Sequence, residues 1–163
     1  LNPKRPRPVD GVIRAIKNAD IIVLGPGSLY TSIIPNLLVD GVVDAIKDSG
    51  AVKIYVCNIM SQAGETEGYT ANDHLSAIER HSYEGIADIV LANSAEIPDG
   101  LKEKYALENA YAVEIDAQKI LTRAKLVEGN LMLVRNDRIR HNFSRLARTI
   151  MRLGSDINYF ENR

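Results

Sequence analysis

The stretch from residue 20 to residue 32 constrains the fold more than any other part of the sequence. An apolar run, Ile21–Leu24, ends abruptly in Gly-Pro-Gly, and four of the next five residues carry hydroxyl groups. The β-branched run predicts a strand buried on both faces, as in a parallel sheet. Glycine and proline end such a strand sharply. A strand, a glycine turn and a helix start together predict a backbone cradle for an anion.

The glycine turn matches no complete nucleotide-binding fingerprint. The dinucleotide motif needs a third glycine, and Tyr30 occupies that position, which disfavours a dehydrogenase. The Gly-Lys-Ser/Thr sequence of a Walker-type phosphate loop does not occur. From the loop alone, two interpretations stay open: an anion cradle, or a tight strand-to-helix turn that binds nothing.

The strand-and-helix pattern repeats along the chain. Apolar runs predict further strands at residues 52–57 and 87–92, and helical spacing predicts helices at residues 10–18, at 40–47 and from residue 70 onward. Strand, helix and strand at this spacing predict parallel pairing. We therefore expect an α/β, Rossmann-like fold with a parallel sheet and helices on both faces. Ligands of such sheets bind at the carboxyl ends of the strands.

The last third of the chain carries weaker signals. Residues 112–115 and 131–134 predict short strands, and residues 142–153 predict a final amphipathic helix. We therefore expect a single α/β domain over residues 1–153 and a polar tail over residues 154–163. A chain of 163 residues is long enough to bury one sizeable core.

Charge and cysteine content narrow the class of protein. A formal net charge of −1 gives no general attraction to nucleic acid, and no apolar run approaches the roughly 20 residues of a membrane helix. We therefore expect neither a nucleic-acid partner nor membrane insertion. Cys57 is the one cysteine, which excludes an internal disulfide and favours an intracellular location. Its place in an apolar strand predicts an inert core thiol.

Motifs for common catalytic chemistry do not occur. The sequence has no Gly-x-Ser-x-Gly elbow and no His-Glu-x-x-His pair, so hydrolase chemistry is not supported. His74 and His81 share one helix face, but no partner ligands accompany them. We predict that both are packed or surface histidines, and we assign no metal and no certain cofactor.

Two longer motifs resemble a known family. Residues 25–38 read Gly-Pro-Gly-Ser-Leu-Tyr-Thr-Ser-Ile-Ile-Pro-Asn-Leu-Leu and look like the first signature of the YvcK-type gluconeogenesis factors. Residues 55–66 resemble their second signature, with Ser61 in place of the usual threonine. Arg140-His141 resembles a late Arg-His pair of the family. The resemblance runs from about residue 10 to residue 153.

The resemblance implies a regulatory binding protein. YvcK-type factors are cytoplasmic, bind UDP-sugars such as UDP-N-acetylglucosamine, and link carbon metabolism to cell wall synthesis and cell shape. No firm catalytic activity follows from it. The same superfamily contains CofD, the 2-phospho-L-lactate transferase, whose first loop usually reads Gly-Pro-Ser-Asn-Pro. A Mg²⁺-dependent transferase is therefore the alternative function.

One departure from the family concerns the start of the fold. The family begins with a strand and a Gly-Gly-Gly-Thr-Gly-type loop, and neither occurs here. We therefore expect that the N-terminal part of the fold is missing and that this chain supplies only part of a nucleotide-sugar site. An open sheet edge invites pairing between copies, so a homo-oligomer is also an expectation.

The expected site combines strand-end loops with the late Arg-His pair. Backbone at Gly25 and Gly27 would approach a diphosphate, and the hydroxyl and amide side chains would bond to phosphate, sugar or base. Each residue also has a structural interpretation, such as a turn, an Asx turn or a helix cap at Thr31 or Ser32. The predicted ligand-binding residues are Gly25, Pro26, Gly27, Ser28, Tyr30, Thr31, Asn58, Gln62, Glu65, Thr66, Asn93, Arg140 and His141.

Overall fold

Four parallel strands form the central sheet. The computed structural model describes residues 2–161, and their side chains as far as residue 155. Within this part of the chain the sheet has the order β1-β2-β3-β4, and every neighbouring pair is parallel. The predicted α/β parallel sheet is therefore confirmed. The strands are β1 (Ile21–Leu24), β2 (Val52–Val56), β3 (Ile89–Asn93) and β4 (Lys125–Gly129).

Helices connect the strands, and an antiparallel hairpin follows the sheet. A π-helical turn, Leu29–Ile33, leads directly into α2. The hairpin consists of β5 (Met132–Arg135) and β6 (Arg138–His141). The helices are α1 (Val12–Lys17), α2 (Ile34–Leu37), α3 (Val42–Asp48), α4 (Ala71–Arg80), α5 (Asp99–Ala106), α6 (Ala117–Ile120) and α7 (Phe143–Glu161).

Apolar side chains on the two faces of the sheet form two separate cores. On one face, Leu24, Tyr55 and Val90 pack with the apolar side chains of α1 to α4. On the other face, Ile54 and Leu91 pack with the apolar side of α7. Successive residues of a strand point to opposite faces, so the central strands are buried on both sides. The expectation of helices on both faces is confirmed.

The first strand is less buried than its sequence predicts. Of β1, only Leu24 is buried, and the side chain of Val23 is 39% exposed. The reason is strand order: within the described residues β1 pairs only with β2 and forms an edge of the sheet. The expectation that this strand is buried on both faces is wrong.

Helix α4 begins where the sequence predicts a helix, with Thr70 as its N-cap. The Thr70 hydroxyl accepts a hydrogen bond from the backbone of Asp73, and the Asp73 carboxylate accepts one from the backbone of Thr70. Asp116 gives no side-chain cap to α6 and instead accepts hydrogen bonds from Thr70 and the backbone of Asn72. Burial acts to raise the pKa of Asp116, but these hydrogen bonds outweigh it and lower the pKa.

The hairpin differs from the strands predicted for this region. Asn136 and Asp137 both have positive φ, 50° and 53°, which is the conformation of a tight two-residue hairpin turn. The sequence interpretation contained β5 but no β6. The strand predicted at residues 112–115 does not form, because the backbone there makes a single bridge between Ala112 and Met60.

No single helix among the described residues is both long and apolar enough to cross a membrane. Two consecutive helical segments, Leu29–Leu37 and Val42–Asp48, together have the length and apolar composition of a membrane span, but they meet at an angle of 74°. Leu29, Ile34 and Ile46 of this pair are buried in the core of the domain.

The final helix is longer than predicted. Helix α7 continues to Glu161, past the expected end at residue 153, so residues 154–161 extend the helix and do not form a separate tail. Gly154 is buried within it, and a Cβ at this position would overlap the side chain of Ile21. The glycine therefore permits close packing of α7 on β1 and does not end the helix.

We expect Gly154→Ala to lower the free energy of unfolding by about 1–3 kcal/mol, the usual cost of overpacking. The added methyl group collides with Ile21, although alanine favours a helix over glycine by about 1 kcal/mol. Urea unfolding followed by circular dichroism measures the change. Ser155→Ala, at the exposed neighbouring position, is the matched control and should stay within about 0.5 kcal/mol of the parent.

Ile21→Ala provides a second control, because it removes the side-chain atoms that the new methyl group would meet. Gly154→Ala should cost much less in that background than in the parent chain. Equal costs in both backgrounds would show that the collision with Ile21 is not the cause.

Candidate functional site

An open cleft of about 440 Å³ lies at the carboxyl ends of β1 and β2. The turn after β1, the loop after β2 and the hairpin strand β6 form its walls. The cleft brings together seven of the predicted residues: Pro26, Gly27, Ser28, Asn58, Gln62, Arg140 and His141. Its other lining residues are Ile59, Met60, Ser61, Tyr105 and Ile139.

The two glycines of the turn have different roles. Gly25 has a φ of +88°, and a Cβ there would lie 3.0 Å from the carbonyl oxygen of Val56. The backbone conformation and this close approach both require glycine. Gly27 does not adopt a positive φ, and a Cβ there would lie 3.1 Å from the Cβ of Ser32. Gly25 therefore shapes the turn, and Gly27 permits the close approach of Ser32 to the turn.

The backbone of this turn has free donors. In the described part of the chain, the amides of Gly27 and Ser28 donate to no backbone carbonyl. Gly27 and Ser28 are partly exposed and line the cleft. A pair of successive unpaired amides is a local binding element for an anion.

The side chains of Ser28, Thr31 and Glu65 are bonded to one another. The Ser28 hydroxyl donates to the Glu65 carboxylate at 2.6 Å and accepts from the Thr31 hydroxyl at 2.5 Å. Ser28 also accepts from the Thr31 amide and so caps the π-helical turn, a role predicted for Thr31 or Ser32. The loops after β1 and β2 are thereby joined, and the hydroxyl of Ser28 is already engaged within the protein.

Besides Gly25, Thr31 and Glu65, three more predicted residues do not line the cleft, and they bond within the protein. The Tyr30 and Tyr69 hydroxyls are 2.9 Å apart and hydrogen-bonded. Thr66 is fully buried and accepts from the backbone of Gln62 at 3.0 Å. Asn93 accepts from the backbone of Leu131 at 3.0 Å and borders a different hollow. These contacts favour the structural interpretation for all three.

Two side-chain amides border the cleft after β2. Asn58 lies two residues beyond the end of β2, and Gln62 lies further along the same loop. The side-chain oxygen of Gln62 is buried and has no hydrogen-bond partner within the described residues. A buried acceptor without a partner is costly, so it favours a ligand that brings a donor.

The hairpin brings Arg140 and His141 to the cleft. The His141 Nε2 atom lies 3.2 Å from the carbonyl oxygen of Cys57, and burial lowers the pKa of His141. Cys57 itself is buried, and burial raises the pKa of its thiol to about 12, so it is the inert core thiol that the sequence predicts. Arg140 is exposed and donates to the Ile139 carbonyl at 3.3 Å.

Tyr105 is the cleft residue that sequence reasoning missed. Its hydroxyl accepts a hydrogen bond from the Ile139 amide at 2.8 Å and thereby fixes β6 beside α5. The signal for this arrangement was the Asn136-Asp137 pair, which is typical of a hairpin turn between strands. Because the hairpin was not predicted, sequence reasoning could not place Arg140 and His141 beside the sheet.

Within the described residues, no three His, Cys, Asp or Glu side chains group as ligands for a metal ion. His74 is fully buried and bonds through Nδ1 to the Thr70 carbonyl, and His81 bonds to the Ala77 carbonyl. These two histidines belong to packing within α4. We assign no Mg²⁺ ligand to the residues of this chain.

A parallel sheet with a polar cleft at its carboxyl edge is the arrangement in which open α/β domains bind their ligands. The family described as 2-phospho-L-lactate transferase CofD matches residues 1–132, and the chain belongs to this family.

Curated relatives lie on the gluconeogenesis-factor side of the family. The gluconeogenesis factor of Halalkalibacterium halodurans is 46% identical over 152 residues, which cover 93% of this chain and 47% of that protein. The gluconeogenesis factor of Bacillus subtilis is 40% identical, over 94% of this chain and 49% of that protein. The chain thus spans about half the length of these relatives, and the predicted resemblance is confirmed.

Solved structures agree with this assignment. A crystal structure of a UPF0052 family member from Bacillus halodurans superposes with a TM-score of 0.86 at 46% identity. The match covers 88% of this chain and 47% of that one.

The free energy of unfolding should fall as the pH drops below about 6.5. Burial lowers the pKa of His141 and His74 from an ordinary value of 6.5, so the unfolded chain binds protons that the folded chain resists. Stability from this source is complete above 6.5 and decreases towards the folded-state pKa. His141→Gln should flatten the fall between pH 7.5 and 5, as measured by urea unfolding, while His74 contributes equally to both proteins. Superimposable pH curves would contradict the role given to His141.

Ser28 and Glu65 should be energetically coupled. In a double-mutant cycle with Ser28→Ala and Glu65→Ala, we expect a coupling of about 1–2 kcal/mol in unfolding free energy, since the hydroxyl donates to a carboxylate. Glu67→Ala is the matched control, because its carboxylate bonds to Gly64 instead. The Ser28 and Glu67 changes should add within about 0.5 kcal/mol. Additivity in the first cycle would mean that the bond contributes nothing.

Proposed function

We propose that this chain contributes part of a UDP-sugar site to a gluconeogenesis factor, a binding protein that links carbon metabolism to cell wall synthesis and cell shape. The proposal rests on one observation: unpaired backbone amides and an arginine side chain line the same cleft. The free amides of Gly27 and Ser28 suit the oxygens of a diphosphate. Membership of the CofD family and similarity to gluconeogenesis factors support the same ligand class.

Arg140 supplies the positive charge for this ligand. Its guanidinium has one hydrogen bond, to a backbone carbonyl, and pairs with no carboxylate among the described side chains. A guanidinium presents five N–H donors, so most of them remain for phosphate oxygens. His141 beside it is held neutral by burial near neutral pH and contributes a ring rather than a charge.

Asn58 and Gln62 are the candidates for contacts with the sugar or the base. Amide side chains offer both donors and acceptors, which suits hydroxyl groups and the edge of a base. The buried side-chain oxygen of Gln62 has no partner within the described residues, and a ligand donor would satisfy it. Ser28, Thr31 and Glu65 act indirectly in this proposal, because their side chains bond to one another.

A regulatory role is proposed in preference to a transferase, and the family description keeps the transferase as the second candidate. Incubation with a nucleotide-linked phospholactate, an acceptor and Mg²⁺, followed by product analysis, distinguishes the two functions. Turnover would support the transferase, whereas bound and unaltered UDP-sugar would support the binding protein.

We further propose a cytoplasmic location, which the single buried thiol of Cys57 favours, and pairing between copies through the open edge of β1.

The binding site can be tested on this chain by titrating UDP-N-acetylglucosamine while recording backbone amide NMR shifts. We expect shifts at Gly27, Ser28 and Asn58, with an affinity weaker than micromolar, since a micromolar site requires about 8 kcal/mol. Arg140→Ala should weaken binding about tenfold or more, because a charge-assisted hydrogen bond is worth about 1.5–3 kcal/mol.

Arg135→Ala is the matched control, since Arg135 lies on the same hairpin, is exposed and does not line the cleft. It should leave the affinity unchanged. Sedimentation of the same samples reports self-association. A well-folded chain that shows no shifts at millimolar ligand, or an Arg140→Ala variant that binds as tightly as the parent, would contradict the proposal.

A further inference from the structure

Three arginines on α7 border a second hollow, at the carboxyl end of β4. Arg145, Arg148 and Arg152 recur three and four residues apart, a spacing that places them on one side of the helix. With Thr149 and the residues 129–131 they line about 340 Å³ of space. None of these lining residues takes part in the UDP-sugar cleft proposed above.

The sequence keeps negative charge out of this hollow. The α7 segment from residue 143 to residue 155 contains the three arginines and no acidic residue. In β4, Val127 packs in the core beneath α7, whereas Leu126 packs in the core on the opposite face. Strand alternation therefore directs Glu128 away from α7. None of the residues that line the hollow is acidic.

The arginines retain donors for a ligand. Arg145 donates from Nη1 to the Asn130 carbonyl at 3.4 Å, and Arg148 donates from Nε to the Ser144 carbonyl at 3.2 Å. Among the side chains described, up to residue 155, neither arginine forms an ion pair. Each guanidinium has five N–H donors in a planar fork, which matches the geometry of phosphate oxygens.

We propose that this hollow is a second anion site, which binds a small molecule carrying one or more phosphate groups. Its place at the carboxyl edge of a parallel strand is where such sheets bind ligands. The three arginines span seven residues, or about 10 Å of helix, so they can contact separate oxygens of a pyrophosphate or a phosphate ester. The lined space of about 340 Å³ is large enough for a small molecule of this kind.

Inorganic pyrophosphate is the probe that tests this proposal on the intact 163-residue chain. It is titrated at constant ionic strength, with sodium chloride as the balance, while backbone amide NMR shifts are recorded. We expect saturable shifts at Gly129, Asn130 and along the first turns of α7. Arg148→Ala and Arg145→Ala should each weaken binding about tenfold, a change of about 1.4 kcal/mol.

Two control variants separate this site from other sources of binding. Arg14→Ala removes an exposed arginine from α1 and should change nothing. Arg140→Ala alters the cleft and should leave the pyrophosphate shifts at α7 in place. Circular dichroism confirms that each variant is folded. Absence of UDP-sugar binding by the parent chain, with pyrophosphate still bound at α7, would count against the proposed function alone.

Three results would overturn the second site. Equal shifts with chloride alone at matched ionic strength would mean general charge screening. Shifts confined to Gly27 and Asn58, and lost in Arg140→Ala, would mean that pyrophosphate binds in the cleft. Tight binding of a single-stranded RNA oligonucleotide, with none of pyrophosphate, would mean that the arginines serve an extended polyanion.

Discussion

Burial of β2 and β3 on both faces is the constraint on which the rest of the structure depends. Ile54, Tyr55 and Val56 have no exposed surface, because helices cover both sides of the central strands. Polar groups inside this layer are inert: burial raises the pKa of both Tyr55 and Cys57. Groups able to meet a ligand are therefore found where the chain leaves the sheet, and the cleft lies at such an edge.

Local signals accounted for much of the fold. The apolar run of β1, the glycine turn and the start of α4 near residue 70 each depend on neighbouring residues in the sequence, and each was predicted. The exposure of Val23 and the burial of Gly154 depend on strand order and on the approach of α7 to β1. No short pattern in the sequence predicts strand order or the approach of a distant helix to a strand. The hairpin turn at Asn136 did carry a local signal that was overlooked.

The residues of the candidate site also divide into those that the local sequence predicts and those that depend on the tertiary arrangement. Gly27 and Asn58 could be placed from sequence because they lie two or three residues beyond the ends of parallel strands. Arg140 reaches the cleft only through the hairpin, so its place was implied by family resemblance and not by spacing. Thr66 and Asn93 bond within the protein. Composition alone does not reveal whether a polar side chain meets its partner in the protein or in a ligand.

The cleft has one wall on the main sheet and one on a separate small core. Ile59, Tyr105 and Ile139 belong to that third cluster, which is distinct from the two cores on the sheet. Units with few buried contacts open locally at lower free energy than the whole domain. A ligand that contacts both walls would therefore stabilise the hairpin against local opening. Part of its binding free energy would appear as slower opening of the hairpin. The strength of binding would then depend on the cohesion of this small core as well as on the residues that touch the ligand.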